Sequence, residues 1–107
     1  MGKIEKIEKL ASKGKADKLL GFVGDKDKEV RLAAIASVSG MIENEDVRNT
    51  VVGLTEDADP DIRKAAITAL GSGRGSYVET RLRYCLTHEK DENVLQAVRA
   101  ALENIKK

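Results

Sequence analysis

There is no tryptophan in this chain, and the only other aromatic rings besides His88 are Phe22, Tyr77 and Tyr84. A core must therefore be assembled from alanine, valine, leucine and isoleucine, which suits close helix–helix packing. Proline occurs once, at Pro60, which argues against a loop-rich or sandwich fold. Cysteine also occurs once, so Cys85 excludes an internal disulfide and a thiolate zinc cluster. The lone thiol fits a reducing compartment, and a cytoplasmic location is expected. Neither sign of charge dominates: 19 Lys and Arg face 18 Asp and Glu. Bulk charge thus demands no polyanionic partner. No stretch approaches the roughly 20 apolar residues of a membrane-spanning helix. The first ten residues contain no apolar run of signal-peptide length. A chain of 107 residues is expected to fold as a single domain over 1–107. At that size roughly two-thirds of the surface can be buried, enough for a core without staples.

What the sequence does contain is a repeat. Three segments beginning at Asp25, Asp57 and Glu89 align without gaps at an offset of 32 residues. Val30, Ile62 and Val94 coincide, as do Ala33, Ala65 and Ala97, and Val38, Leu70 and Leu102. Each copy reads as a helix. Asp27, Asp59 and Asp91 stand where an N-cap carboxylate accepts bonds from free backbone N–H groups. Pro60 falls at the first helical position, where its missing N–H costs nothing. Val30, Ala33, Ala34, Ser37, Val38 and Met41 then form one helical stripe of apolar or small residues.

A second helix precedes each copy. Ser12, Asn44 and Ser76 share the same spacing and are expected N-caps, Ser76 with Glu79 as a capping box. Helices are therefore predicted over about 13–24, 45–56 and 77–87. The third breaks phase, because Arg83 stands where the others have Leu19 and Val51. A rotation or shift of about one residue follows. Gly40 and Gly71 are read as helix terminators with left-handed backbone, and Gly71–Gly75 as the hinge of the chain. Residues 3–12 form a separate amphipathic stripe of Ile4, Ile7, Leu10 and Ala11, an N-terminal capping helix. Lys106 and Lys107 suit a helix C-terminus. The repeats are drawn at about 12–43, 44–75 and 76–107.

The pattern Asp-x-Asp-x-x-Val-Arg-x-x-Ala-x-x, followed by Ala or Ser and then Leu or Val, resembles HEAT repeats. It is nearest to the short HEAT-like repeats also found in phycobilin lyases. The resemblance covers about residues 12–105. It implies an all-α fold, a right-handed α-solenoid of three HEAT-like hairpins whose second helices line a concave side. It further implies an inter-repeat ladder, here Asp25 with Arg31 and Asp57 with Arg63. The third copy departs, with Glu89 and Leu95 in those places. Ankyrin and tetratricopeptide arrays have similar periods, but their signatures are missing.

Chemistry is thinly represented, and no enzymatic activity, cofactor or metal is expected. His88 sits in a polar turn and is read as an exposed histidine, since a general base would need a positioned substrate and an orienting partner. Cys85 lies on an apolar stripe, the setting of a structural cysteine. Gly71–Ser76 lacks the strand and the Lys-Ser/Thr of a phosphate loop. The Asp57, Asp59 and Asp61 run opens like a calcium loop, without the required glycine and distal glutamate.

The expected role is non-catalytic: a protein-binding or scaffold module, docking a partner along the concave second-helix face. The residues assigned to that face are Leu32, Ile35, Ala36, Lys64, Ile67, Thr68, Gln96 and Arg99. Ile35 and Ile67 allow two readings, a docking patch or packing between repeats. The chain is expected to be a monomer or weak homodimer, with no membrane contact. A bilin-handling accessory role is an alternative by analogy with the lyases. A second alternative is weak nucleic-acid binding through Arg63, Lys64, Arg74, Arg81, Arg83 and Arg99. Against it, no aromatic residue is interleaved with them for base stacking.

Overall fold

In a computed structural model, which describes residues 2–106, the repeat resolves into paired helices. They are α1 (Lys3–Ser12), α2 (Ala16–Leu20), α3 (Lys28–Val38), α4 (Glu45–Leu54), α5 (Pro60–Leu70), α6 (Ser76–His88) and α7 (Glu92–Lys106). A 3₁₀ turn, Ser39–Met41, extends α3. There is no strand among the described residues. The expectation for Lys107 and for the side chain of Lys106 lies outside the described residues.

Three hairpins, α2–α3, α4–α5 and α6–α7, stack in order. The second helices form one row in which α3 packs on α5 and α5 on α7. The helix α1 packs on α3 at the head of that row, which makes it the capping helix the sequence predicts. The molecule is elongated, 41 × 25 × 19 Å. This is an all-helical solenoid of hairpins.

The caps explain why the second helices start where they do. The Asp27 carboxylate accepts from the backbone N–H of Glu29 at 3.0 Å, and that of Asp59 from Asp61 at 2.8 Å. Asp91 accepts from both Asn93 and Val94. Each satisfies donors that a helix N-terminus leaves free. Asn44 caps α4 as predicted, accepting from Val47 at 3.1 Å.

The other two predicted caps fail. Ser12 is the last residue of α1, its hydroxyl donating to the Lys9 carbonyl. Ser76 is already inside α6; the N-cap is Gly75, at φ +94°. There is room for a side chain, but that backbone angle is strained for any L residue, which favours glycine. Helix α2 is also much shorter than predicted. Gly14, at φ +66°, delays its start, and Gly21 to Gly24 continue it only as turns.

One continuous apolar core runs the length of the stack. Val30, Ile62 and Val94 are all buried, as layer stacking demands. The predicted slip of α6 is present. Val47 and Val51 of α4 are matched in burial by Val78 and Leu82 of α6, an offset of 31 residues. The slip leaves Arg83 in solvent.

The glycine-rich link is not a free hinge, and Gly71 is not left-handed: its φ is −63°. Glycine is needed there for a different reason. A Cβ on Gly71 would come within 2.9 Å of the Ala101 Cβ of α7. One on Gly73 would meet the Ile42 side chain at 3.0 Å. Asn104 also donates to the Gly71 carbonyl at 2.7 Å. The link is thus packed against its neighbours on both sides. Gly40 likewise has no positive φ.

Candidate functional site

Along the second helices the repeat dictates which side chains meet solvent. Ala36, Thr68 and Ala100 are equivalent and all exposed. One residue earlier stand Ile35, Ile67 and Arg99, and here the sequence expectation needs correcting. Ile35 and Ile67 are 0 % exposed, so they are inter-repeat packing and not a docking patch. A solenoid helix is covered on its flanks by the helices before and after it, and this position faces such a flank. In the third repeat the same position carries the exposed Arg99, which pairs with Glu92 at 3.3 Å. Leu32 is half-buried against the core, whereas Lys64 and Gln96 at the equivalent positions are exposed.

Two shallow grooves remain on this face. One, of about 350 Å³, runs between α3 and α5 over Ala36, Ala65 and Ala69. The other, of about 470 Å³, runs between α5 and α7 over Ala97, Ala100 and Ala101. Lys64 and Thr68 line both and form the ridge between them. Of the eight residues assigned to the face, Ala36, Lys64 and Thr68 line a groove, Gln96 and Arg99 are exposed but line neither, Leu32 is half-buried, and Ile35 and Ile67 are buried. No ion pair to Lys64 occurs among the described residues. Its neighbour cation Lys28 is fully engaged, 2.7 Å from Asp61 and 2.9 Å from Asp59. Those carboxylates hold the Lys28 ammonium above the usual lysine range, and the contact depresses Asp59 in turn.

The side-chain pairs that the resemblance implied, Asp25 with Arg31 and Asp57 with Arg63, do not form, and one arginine, Arg63, makes a cross-repeat rung. Arg31 and Arg63 each donate to the backbone carbonyls of their own turns, Asp25 and Asp57, at 2.9 and 3.0 Å. The Asp25 and Asp57 carboxylates instead accept from the backbone N–H two residues on. The cross-repeat rung runs forward: Arg63 Nε and Nη2 donate to Glu89 Oε1 and Oε2 at 2.9 and 3.0 Å. Glu89 is the 32-residue counterpart of Asp57, so the apparent departure in the third copy is what completes the rung. The guanidinium holds the Glu89 carboxyl below the usual range, against the opposing effect of burial. Lys3 of α1 plays the same part for Asp25 at 2.9 Å.

Beside the Arg63–Glu89 rung, which helps to line it, lies a feature that the sequence did not announce. A cavity of about 420 Å³ opens between the α4–α5 and α6–α7 turns. Arg81 and Tyr84 of α6 line it, together with Thr55, Cys85, His88 and Glu89. Arg81 donates through Nε and Nη2 to the buried Thr55 hydroxyl at 3.3 and 3.0 Å. Its guanidinium lies 4.6 Å from the Tyr84 ring centre, and Tyr84 stacks on His88 at 3.9 Å. His88 is exposed, and its Nδ1 lies 2.8 Å from the Tyr84 carbonyl. Cys85 is buried, and burial pushes its thiol up, away from the reactive thiolate. The i, i+4, i+7, i+11 spacing of Tyr77, Arg81, Tyr84 and His88 was the available signal. It also corrects the statement that no aromatic residue lies among the arginines.

No helix among the described residues is long and apolar enough to cross a membrane. A search of curated proteins found no match. A family model described as HEAT repeats matches residues 16–103, from the start of α2 to the last turns of α7. With its stacked hairpins, capped second helices and cross-repeat rung, the chain belongs to the HEAT-repeat family.

Proposed function

We propose that this protein is a non-catalytic interaction module that docks a protein partner along its second-helix face. One observation carries the reading: two alanine-floored grooves flank the Lys64 and Thr68 ridge on that face. Alanine floors accept larger apolar side chains from a partner, and an unpaired ammonium at the centre offers one point of polar recognition. HEAT repeats generally mediate protein–protein contact or scaffolding, and their stacked rows present extended surfaces for it. Nothing in the geometry favours bilin handling, since the one thiol is buried and burial shifts it away from the reactive thiolate.

The test places a photo-crosslinking amino acid at Thr68, and separately at the exposed Glu43 as a control. A partner crosslinked from Thr68 alone, and lost on Thr68→Arg, supports the face. Crosslinking from Glu43 alone, or binding indifferent to Thr68→Arg in a folded variant, removes it.

A further inference from the structure

We propose that the outer face of α6 is a second docking surface, fitted to an acidic protein segment. Tyr77, Arg81, Tyr84 and His88 recur at i, i+4, i+7 and i+11 and so share one stripe of the helix. Both tyrosines are exposed, at 52 % and 41 %. Apart from Ile4 they are the large hydrophobic side chains that the described residues leave in solvent. Seven residues of helix separate them by about 10 Å. Tyrosine and arginine are the residue types that dominate binding energy at protein interfaces, and here they are held together in fixed pairs.

Each ring carries a guanidinium. Arg48, reaching over from α4, lies 5.5 Å from the centre of Tyr77, and Arg81 lies 4.6 Å from that of Tyr84. These cations are poorly compensated. The buried Nε of Arg48 has no hydrogen-bond partner among the described residues, and its Nη1 reaches only the Glu43 carbonyl at 3.4 Å. Arg81 donates through Nε and Nη2 to the neutral Thr55 hydroxyl, and the carboxylate nearest it is the exposed Glu56 at 3.6 Å. Arg74, just before the helix, has no carboxylate partner among the described residues, and Arg83 is paired only with Glu79 of its own helix. The contrast with Arg63, held at both nitrogens by Glu89, is plain.

Charge therefore calls for carboxylates, and the ring geometry favours a protein over a nucleic acid. Base stacking needs an open aromatic face. On Tyr84 stacking area is already taken by His88 at 3.9 Å and by Arg81, and on Tyr77 by Arg48. Tyr84, with two such neighbours, offers chiefly its ring edge and phenol hydroxyl, and the guanidinium N–H groups beside the two rings suit glutamate and aspartate. The surface is separate from the second-helix grooves and stands or falls independently of them.

The absence of tryptophan makes the test direct, because tyrosine emission reports only Tyr77 and Tyr84. The probe is a synthetic twelve-residue peptide of alternating glutamate and leucine, free of aromatic residues. A saturable change in tyrosine emission that weakens with salt is expected. The double variant Arg48→Gln with Arg81→Gln should raise the dissociation constant at least tenfold with helix content unchanged by circular dichroism, and Thr68→Arg should not alter it. If the double variant does not fold, Arg48→Gln alone should move the constant in the same direction. No saturable change, or binding indifferent to the arginine variants, overturns the proposal. So does tighter binding of a single-stranded oligonucleotide, which would assign the face to nucleic acid.

Discussion

Arg63 of the second repeat donates through Nε and Nη2 to both carboxylate oxygens of Glu89 in the third, at 2.9 and 3.0 Å. The Glu89 side chain is only 7 % exposed, so water does little to replace a lost partner. Arg63→Ala should therefore destabilise the fold by about 2 kcal/mol, most of it the cost of an abandoned carboxylate. Chemical denaturation followed by circular dichroism measures this. A loss below about half a kcal/mol would show the rung to be ornamental.

The same contact sets an acid limit. The Glu89 carboxyl is depressed from 4.5, chiefly by its bond to Arg63. In the unfolded chain it takes up a proton near its ordinary value, so between there and its lower native value the unfolded state binds more protons. Its contribution is thus complete above about pH 5 and is lost as pH falls through the native value. Denaturation midpoints at pH 7 and pH 3.5 should differ less in Glu89→Gln than in the parent. An equal difference in the two proteins would rule out this source of acid sensitivity.

Gly71→Ala tests the close approach of α5 to α7. The new methyl meets Ala101 at 2.9 Å, and adjustment of packed backbone should cost about 1–3 kcal/mol. Ala101→Gly removes the nearest of the three crowding atoms, leaving the Ala101 Cα at 3.0 Å and the Thr68 carbonyl oxygen at 3.2 Å, and costs about 1 kcal/mol of helix propensity. The double variant should be more stable than the two single losses predict when added. Strict additivity would place the strain elsewhere.

Ile67 and Thr68 are adjacent in the sequence and opposite in role. Ile67→Ala should cost about 3 kcal/mol, because the side chain is fully enclosed. Thr68→Ala should stay within about 0.5 kcal/mol, as for an ordinary surface site. Thermal melts of the two variants distinguish them directly; similar losses would contradict the described burial.

These cases show what the sequence reveals and what it hides. The layers of Val30, Ile62 and Val94, the Asp27 and Asp59 caps and the slip announced by Arg83 are local or periodic signals, and they were legible. The burial of Ile35 and Ile67 was not, because one helix's periodicity does not say that neighbours cover it on two flanks. Gly71 shows the same limit: a glycine needed for another helix's approach looks like one needed for a turn. Glu89 looked like an unpaired departure because its partner lies 26 residues upstream and in another repeat. The α6 stripe needed only a helical spacing count, but the arginine that completes it, Arg48, comes from α4.

The 31-residue offset between α4 and α6 has a bearing on how such an array can be lengthened. A duplicate of the middle hairpin inserted behind the first would join on in frame, since α2 and α4 bury Leu19 and Val51 at the regular interval. Its far seam must still feed into Gly71–Gly75 and a helix that begins one residue early. Modules of this chain are therefore not interchangeable bricks: growth is open at the junction of the first two hairpins, and the last hairpin is keyed to its own entry.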